Sequence, residues 1–330
     1  MRQPLPVSLN RDDSTALKGI AILLMIMHHV LIKDYYVKPD AVLSNIVILR
    51  LMVLGKVCVG LFMFVTAYGY ALKPHRPIRY SLSHIWRLLA RYWALLLVFV
   101  ALGALAGNKP QLKTVLLNLF GFSSAYSCAN WYIYFYIYAM LALPLISRLV
   151  NGLHIWAVLL SVAVCAVASF LIKSDDIWLK AVRECLFYTP VLVIGCFMAK
   201  TGWGFIKHRF STIELILAMA VLLAAGCMSR DIYGFCTFTV IVPAMALVAV
   251  ALLQQRQLSN MRAALIKLGR LSLYMWFVHA VFFSSMTRSM FQQSSLWPKN
   301  ILLVYLVVFC SSLVVSALLM QAEKALIRKN

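Results

Sequence analysis

The sequence predicts an all-α, polytopic membrane protein of about ten transmembrane helices, and three observations predict it. Hydrophobic residues make up 63% of the 330 and charged residues only 12%, where a soluble globular chain carries roughly 45–50% and about 25%. Apolar runs recur at the length of a helical span, about 20 residues. Lys and Arg, 31 against 10 Asp and Glu, gather at the ends of those runs, the pattern that fixes topology. That distribution gives the net charge of +21 a topological meaning and argues against a nucleic-acid partner.

The runs fall near residues 16–33, 52–72, 86–106, 131–148, 154–172, 185–200, 212–228, 235–253, 270–287 and 301–322. The first follows Arg2, Arg11 and Lys18 and lacks a small-residue cleavage pattern, so it reads as a retained span and not as a signal peptide. Ahead of the second, residues 40–55 are apolar but interrupted by Arg50 and followed by Lys56, which reads as a short interfacial helix. The third is entered through Arg87 and Arg91. The stretch 107–130 is the longest outside a span and reads either as a lid or acceptor-facing loop, or as a simple connection. The fourth span opens on aromatic residues from Trp131. The ninth and tenth end the series before Lys324, Arg328 and Lys329. Most basic residues then fall on the side of the N-terminus, which predicts both termini in the cytoplasm.

Eight cysteines show no C-x-x-C pair and mostly sit in apolar runs, so they read as small core residues and no metal site is expected. There is no internal repeat, which weighs against a repeat-built transporter. So many spans leave no room for a separate soluble domain within 1–330, and any chemistry takes place in or beside the bilayer.

The first span holds the most unusual set of residues, from Lys18 to His28 and His29. Eleven steps from Lys18 to His29 turn a helix through three turns and roughly 20°, with a rise of about 16 Å. The two side chains therefore share a face, while His28 is expected about 80° away from it. An ionisable residue inside a span is a functional hypothesis whose partner has to be found.

Lys18-x10-His29 resembles the Arg-x10-His signature of the membrane acyltransferase 3 family. Further blocks follow in that family's order: Val59 to Tyr70, His84-Ile-Trp-Arg87-Leu-Leu-Ala-Arg91, Asn130-Trp131-Tyr132 through Pro144, and Gly269-x-x-Ser272-x-Tyr274 to His279. The chain departs from the pattern in having lysine where the family has its leading arginine, and in placing its acids at Asp12 and Asp13 with Thr15 where the family's acid falls. Arg76-Pro-Ile-Arg79 and Arg87-x-x-x-Arg91 both resemble the family's paired arginines.

The resemblance implies a single membrane acyltransferase domain over 1–330. It implies an acetyl or other acyl group taken from cytoplasmic acetyl-CoA, with no bound cofactor, and delivered to a hydroxyl of a cell-surface polysaccharide or its lipid-linked precursor. The expected location is a bacterial inner membrane. His29 is the expected catalytic residue, acting as general base or as acyl-carrying nucleophile. Lys18, Arg87 and Arg91 are the expected holders of the donor's phosphates. His28, Trp131, Ser272, Tyr274 and His279 are expected to support the site or the acceptor, and Ser272, Tyr274 and His279 are the candidates for orienting His29. Tyr132, Tyr134, Tyr136 and Tyr138, with Trp131, are expected to line a sugar groove or an interfacial belt. A transporter or flippase for a sugar or small anion would share the spans, the histidine and the basic mouth. It would not explain the other blocks.

Overall fold

The computed structural model describes residues 3–4, 9–32, 45–73, 76–123, 125–126, 131–172, 176–201, 209–232, 241–284, 287–293 and 297–329. Helix α1 (Arg11–Leu31) starts at a reciprocal cap: the Asn10 side chain accepts from the Asp13 amide at 2.8 Å, and the Asp13 carboxylate accepts from the Asn10 amide at 3.2 Å. Two helices follow almost without a break, α2 (Asn45–Gly55) and α3 (Val57–Ala71), separated only at Lys56. Pro77, with its fixed φ and missing N–H, precedes α4 (Ile78–Leu105). Next come α5 (Leu112–Leu119), α6 (Trp131–Leu153), α7 (Ile155–Leu171), α8 (Ile177–Thr201) and α9 (Thr212–Ile232). The chain closes with α10 (Val242–Leu253), α11 (Ser259–His279), the short α12 (Arg288–Gln292) and α13 (Ile301–Lys329). The exception to helix is a two-residue antiparallel pairing of Gln3–Pro4 with Arg209–Phe210.

Among the described residues, 7 helical stretches are long and apolar enough to cross a membrane. The fifth, seventh and eighth expected runs contain shorter apolar helices, Ile155–Cys165, Thr212–Met228 and Val242–Leu253. The segment expected to lie as an interfacial helix before the second span is described from residue 45. Its described part, α2, packs against α1 and α9 and joins α3 in one apolar stretch, Ile46–Ala71, with Ile46, Val47 and Leu49 exposed. The long 107–130 connection is also tied down. It contains α5, and the Tyr92 hydroxyl and Trp93 indole donate to the carbonyls of Asn118 and Leu119 at 2.5 and 2.8 Å.

Helix α1 is central, packed most extensively on α11 and also on α2, α3 and α13. Glycines let the two main helices touch backbone to backbone: a Cβ on Gly19 would lie 2.2 Å from the Leu265 carbonyl oxygen, and one on Gly269 1.8 Å from that of Thr15. Asp13, only 1% exposed, ties the ends of α1 and α11 together by accepting from Arg262 at 3.0 Å, and it also accepts from Gln254 at 3.2 Å. Arg91 of α4 meets Glu323 near the end of α13 at 2.6 Å and lines one cavity with Lys18. The start of α1, the start of α11 and the end of α13 therefore lie at the same end of the bundle.

Candidate active site

From that basic end a cavity of about 330 Å³ runs inward between α1, α3, α4, α6 and α11. Lys18, His84, Arg87 and Arg91 line it, together with Ser272, Thr66 and the rings of Tyr132, Tyr136 and Trp276. The three expected donor-binding cations are thus brought together. Arg91 is already engaged by Glu323, accepting at 2.9 and 2.6 Å, whereas Lys18 is half-buried with no ion pair among the described residues.

Met25, Tyr132 and Trp276 close the inner end. The two rings meet edge to face at 4.9 Å, and the same three side chains also line a second, far smaller pocket of about 10 Å³ on their other side. His28, His29, Lys56, Cys58 and Val59 complete that pocket. Its volume is about that of a single water. A wall one side chain thick therefore separates the basic cavity from the histidines.

His29 is 5% exposed and His279 fully buried, and their rings are joined by a 2.9 Å bond between His29 Nδ1 and His279 Nε2. The other nitrogen of His279, Nδ1, lies 2.9 Å from the Met275 carbonyl, which can only accept. A neutral imidazole carries one N–H, so His279 donates from Nδ1 to Met275 and accepts at Nε2. The donor to that Nε2 is His29 Nδ1–H, which places the basic lone pair of His29 on its Nε2. Of the three orienting candidates, His279 is the one that meets His29. Ser272 donates to the Gly269 carbonyl of its own helix and lines the basic cavity, and the Tyr274 hydroxyl is buried without a hydrogen-bond partner among the described residues.

Three expectations change. Lys18 and His29 share a helix face but not a cavity, because the wall falls between them. His28, expected to look elsewhere, shares the pocket of His29 and donates from Nδ1 to the Met52 carbonyl at 2.7 Å. Helix α1 is enclosed by neighbours on several sides, so an 80° offset still points into the bundle. The tyrosine row does not form one groove. Tyr132 and Tyr136 line the basic cavity, Tyr134 stacks on Phe122 at 5.6 Å, and the Tyr138 hydroxyl bonds Thr189 at 2.6 Å. Steps of two residues turn a helix by about 200°, which throws alternate members to opposite sides. The side chain of Trp131 lies outside the described residues.

The sequence reading missed the wall and Lys56. It also missed the anchor at Asp13, whose signal, Asn10-x-x-Asp13 ahead of an apolar run, is a helix-start pattern. Among the described residues no three His, Cys, Asp or Glu side chains gather as a metal site would require.

A bundle of apolar helices around a basic cavity and a buried histidine pair defines a multi-pass membrane protein. A family model described as an acyltransferase domain matches residues 12–321, nearly the whole chain. The protein belongs to the membrane acyltransferase 3 family and is an acyltransferase. No curated protein and no solved structure matches the chain.

Proposed function

We propose that the protein moves an acetyl group from acetyl-CoA to a hydroxyl of a cell-surface polysaccharide or its lipid-linked precursor, in a bacterial inner membrane. The observation that carries this reading is the oriented His29–His279 pair just beyond the blind end of a cation-lined cavity. Coenzyme A is an anionic head on a long thin arm. The head suits Lys18, Arg87 and Arg91, and the arm suits the narrow space leading to Tyr132 and Trp276.

His29 Nε2 attacks the thioester carbonyl, the C–S bond breaks, and the coenzyme leaves as its thiolate. The acyl-imidazolium so formed passes its Nδ1 proton across the 2.9 Å bond to His279 Nε2. The acceptor oxygen then attacks the acyl carbon, the C–N bond breaks, and His29 recovers its Nδ1 proton from His279. The hydroxyl's proton passes to the freed Nε2 of His29 as the C–N bond breaks and from there to the thiolate or to solvent, so that charge and protons balance. The relay needs donor and acceptor at His29 in turn, with the wall opened to the thioester at the first step. The one-step route, with His29 as base, needs donor and acceptor present together.

The test compares wild type, His29→Ala and His28→Ala at matched membrane expression, for O-acetyl content of the host polysaccharide and for acetyl-CoA turnover. Loss of both with His29→Ala alone is the expected result. Persistence of both without His29 would overturn the assignment. Incubation with labelled acetyl-CoA and no acceptor separates the two routes, since only the relay leaves label on the protein.

A further inference from the structure

A second cavity, of about 650 Å³, opens at the basic end where the end of α3, the start of α4 and the later parts of α6 and α8 meet. It is separate from the donor cavity and the proposed reaction does not use it. We propose that it is a phosphate site occupied by the headgroup of an anionic phospholipid.

Four cations line it, Lys73, Arg76, Arg148 and Lys200, the last also donating to the Ser147 carbonyl, and among the described residues no carboxylate does. At this end of the bundle Asp13 pairs with Arg262, Glu323 with Arg91, and Glu214 accepts from the Ser211 amide, and neither these three nor Asp12 lines the basin. The positive charge of the basin is therefore left for a ligand to balance.

Arg76 is set up to meet an anion. Its guanidinium sits over the Tyr80 ring at 4.0 Å and 5.5 Å from the centre of Tyr70, and Nη2 donates to the Gly69 carbonyl at 3.0 Å. Its Nε is buried and has no hydrogen-bond partner among the described residues. The side chain is thus held in place with a donor still unused. Pro77, just before the 28-residue α4, and Ile78, its first residue, line the same basin, and no side chain caps that helix start. A long helix presents partial positive charge and unpaired amides there.

The rim selects the source of the phosphate. Ile78, Leu141 and Leu145 line the basin and are 52%, 46% and 61% exposed. An apolar lateral rim beside a cationic floor matches a headgroup with acyl chains attached, the arrangement by which basic pockets between spans hold anionic lipids. A soluble nucleotide has no use for that rim.

The test uses the full chain, delipidated in detergent and titrated separately with short-chain phosphatidylglycerol, short-chain phosphatidylcholine and coenzyme A, with bound adducts read by native mass spectrometry. Phosphatidylglycerol is expected to bind wild type well ahead of phosphatidylcholine. Arg148→Gln with Lys200→Gln is expected to weaken it about 25-fold, roughly fivefold for each cation removed, with coenzyme A binding unchanged. The charge-conserving pair Arg148→Lys with Lys200→Arg should keep the lipid. Lys73→Gln, on the exposed edge, carries little risk to folding and should cost about fivefold. Equal binding of the two lipids, or unweakened phosphatidylglycerol binding in the glutamine variants, overturns the proposal. So does loss of coenzyme A with the lipid retained, which would give the basin to the nucleotide.

Discussion

His279 holds its Nδ1 proton on the Met275 carbonyl, and that bond decides which nitrogen of His29 can act. Removing the partner is therefore expected to hurt catalysis without touching substrate contacts. His279→Ala should lower kcat by about 10² or more with KM for acetyl-CoA nearly unchanged, measured in proteoliposomes; a change in KM alone would contradict the orienting role. Tyr132 and Trp276 act at the same scale, since they and Met25 decide what passes from the cavity to His29. Tyr132→Ala should raise the ratio of kcat/KM for butyryl-CoA over acetyl-CoA by about tenfold or more. Competing the two donors checks this, and an unaltered ratio would remove the wall from any part in chain-length selection. His29 was legible as an ionisable group inside a span. The wall was not, because aromatic residues in an apolar run look like ordinary core until the tertiary fold shows two cavities meeting on them.

The histidine pair lies at the far end of one helix contact, that of α1 with α11. Gly19 and Gly269 permit it, each with the other backbone where a Cβ would stand. Gly269→Ala must push the helices apart near Thr15, at a cost of about 1–3 kcal/mol. Acetyl transfer should fall at least about tenfold in protein that still reaches the membrane. Gly152→Ala, whose new methyl meets nothing within 4 Å, should leave transfer intact; equal losses in both would mean that contact geometry is not the cause. Asp13 holds the basic end of the same contact. Asp13→Ala removes a helix cap and leaves Arg262 half-buried without its carboxylate, so a loss of about 3 kcal/mol is expected, read as a lowered melting temperature in detergent. The sequence showed α1 and α11 as spans and His279 as a polar residue in the second of them. That the two helices are neighbours depends on long-range packing, for which the glycines are a signal only once the partner is known.

At the scale of the whole molecule, composition alone was enough for the class, and the count of crossings is where structure and sequence need a common test. The start of α1 and the end of α13 reach the same end of the bundle, as the shared cavity and the Arg91–Glu323 pair require. An even number of crossings follows, so the 7 long stretches need at least one of the shorter apolar helices to cross as well. Reporter fusions at residues 10 and 329 are expected to read cytoplasmic at both positions; opposite readings would exclude ten crossings. The three-residue wall also has a consequence for the membrane itself. A continuous wet path from the basic mouth past Lys18 to the histidines would let protons run down their gradient at every moment the enzyme stood idle. Met25, Tyr132 and Trp276 stand between the basic cavity and a pocket of about 10 Å³ beside the histidines, interrupting such a path, so in the proposed reaction these three side chains have to shift before a thioester reaches His29.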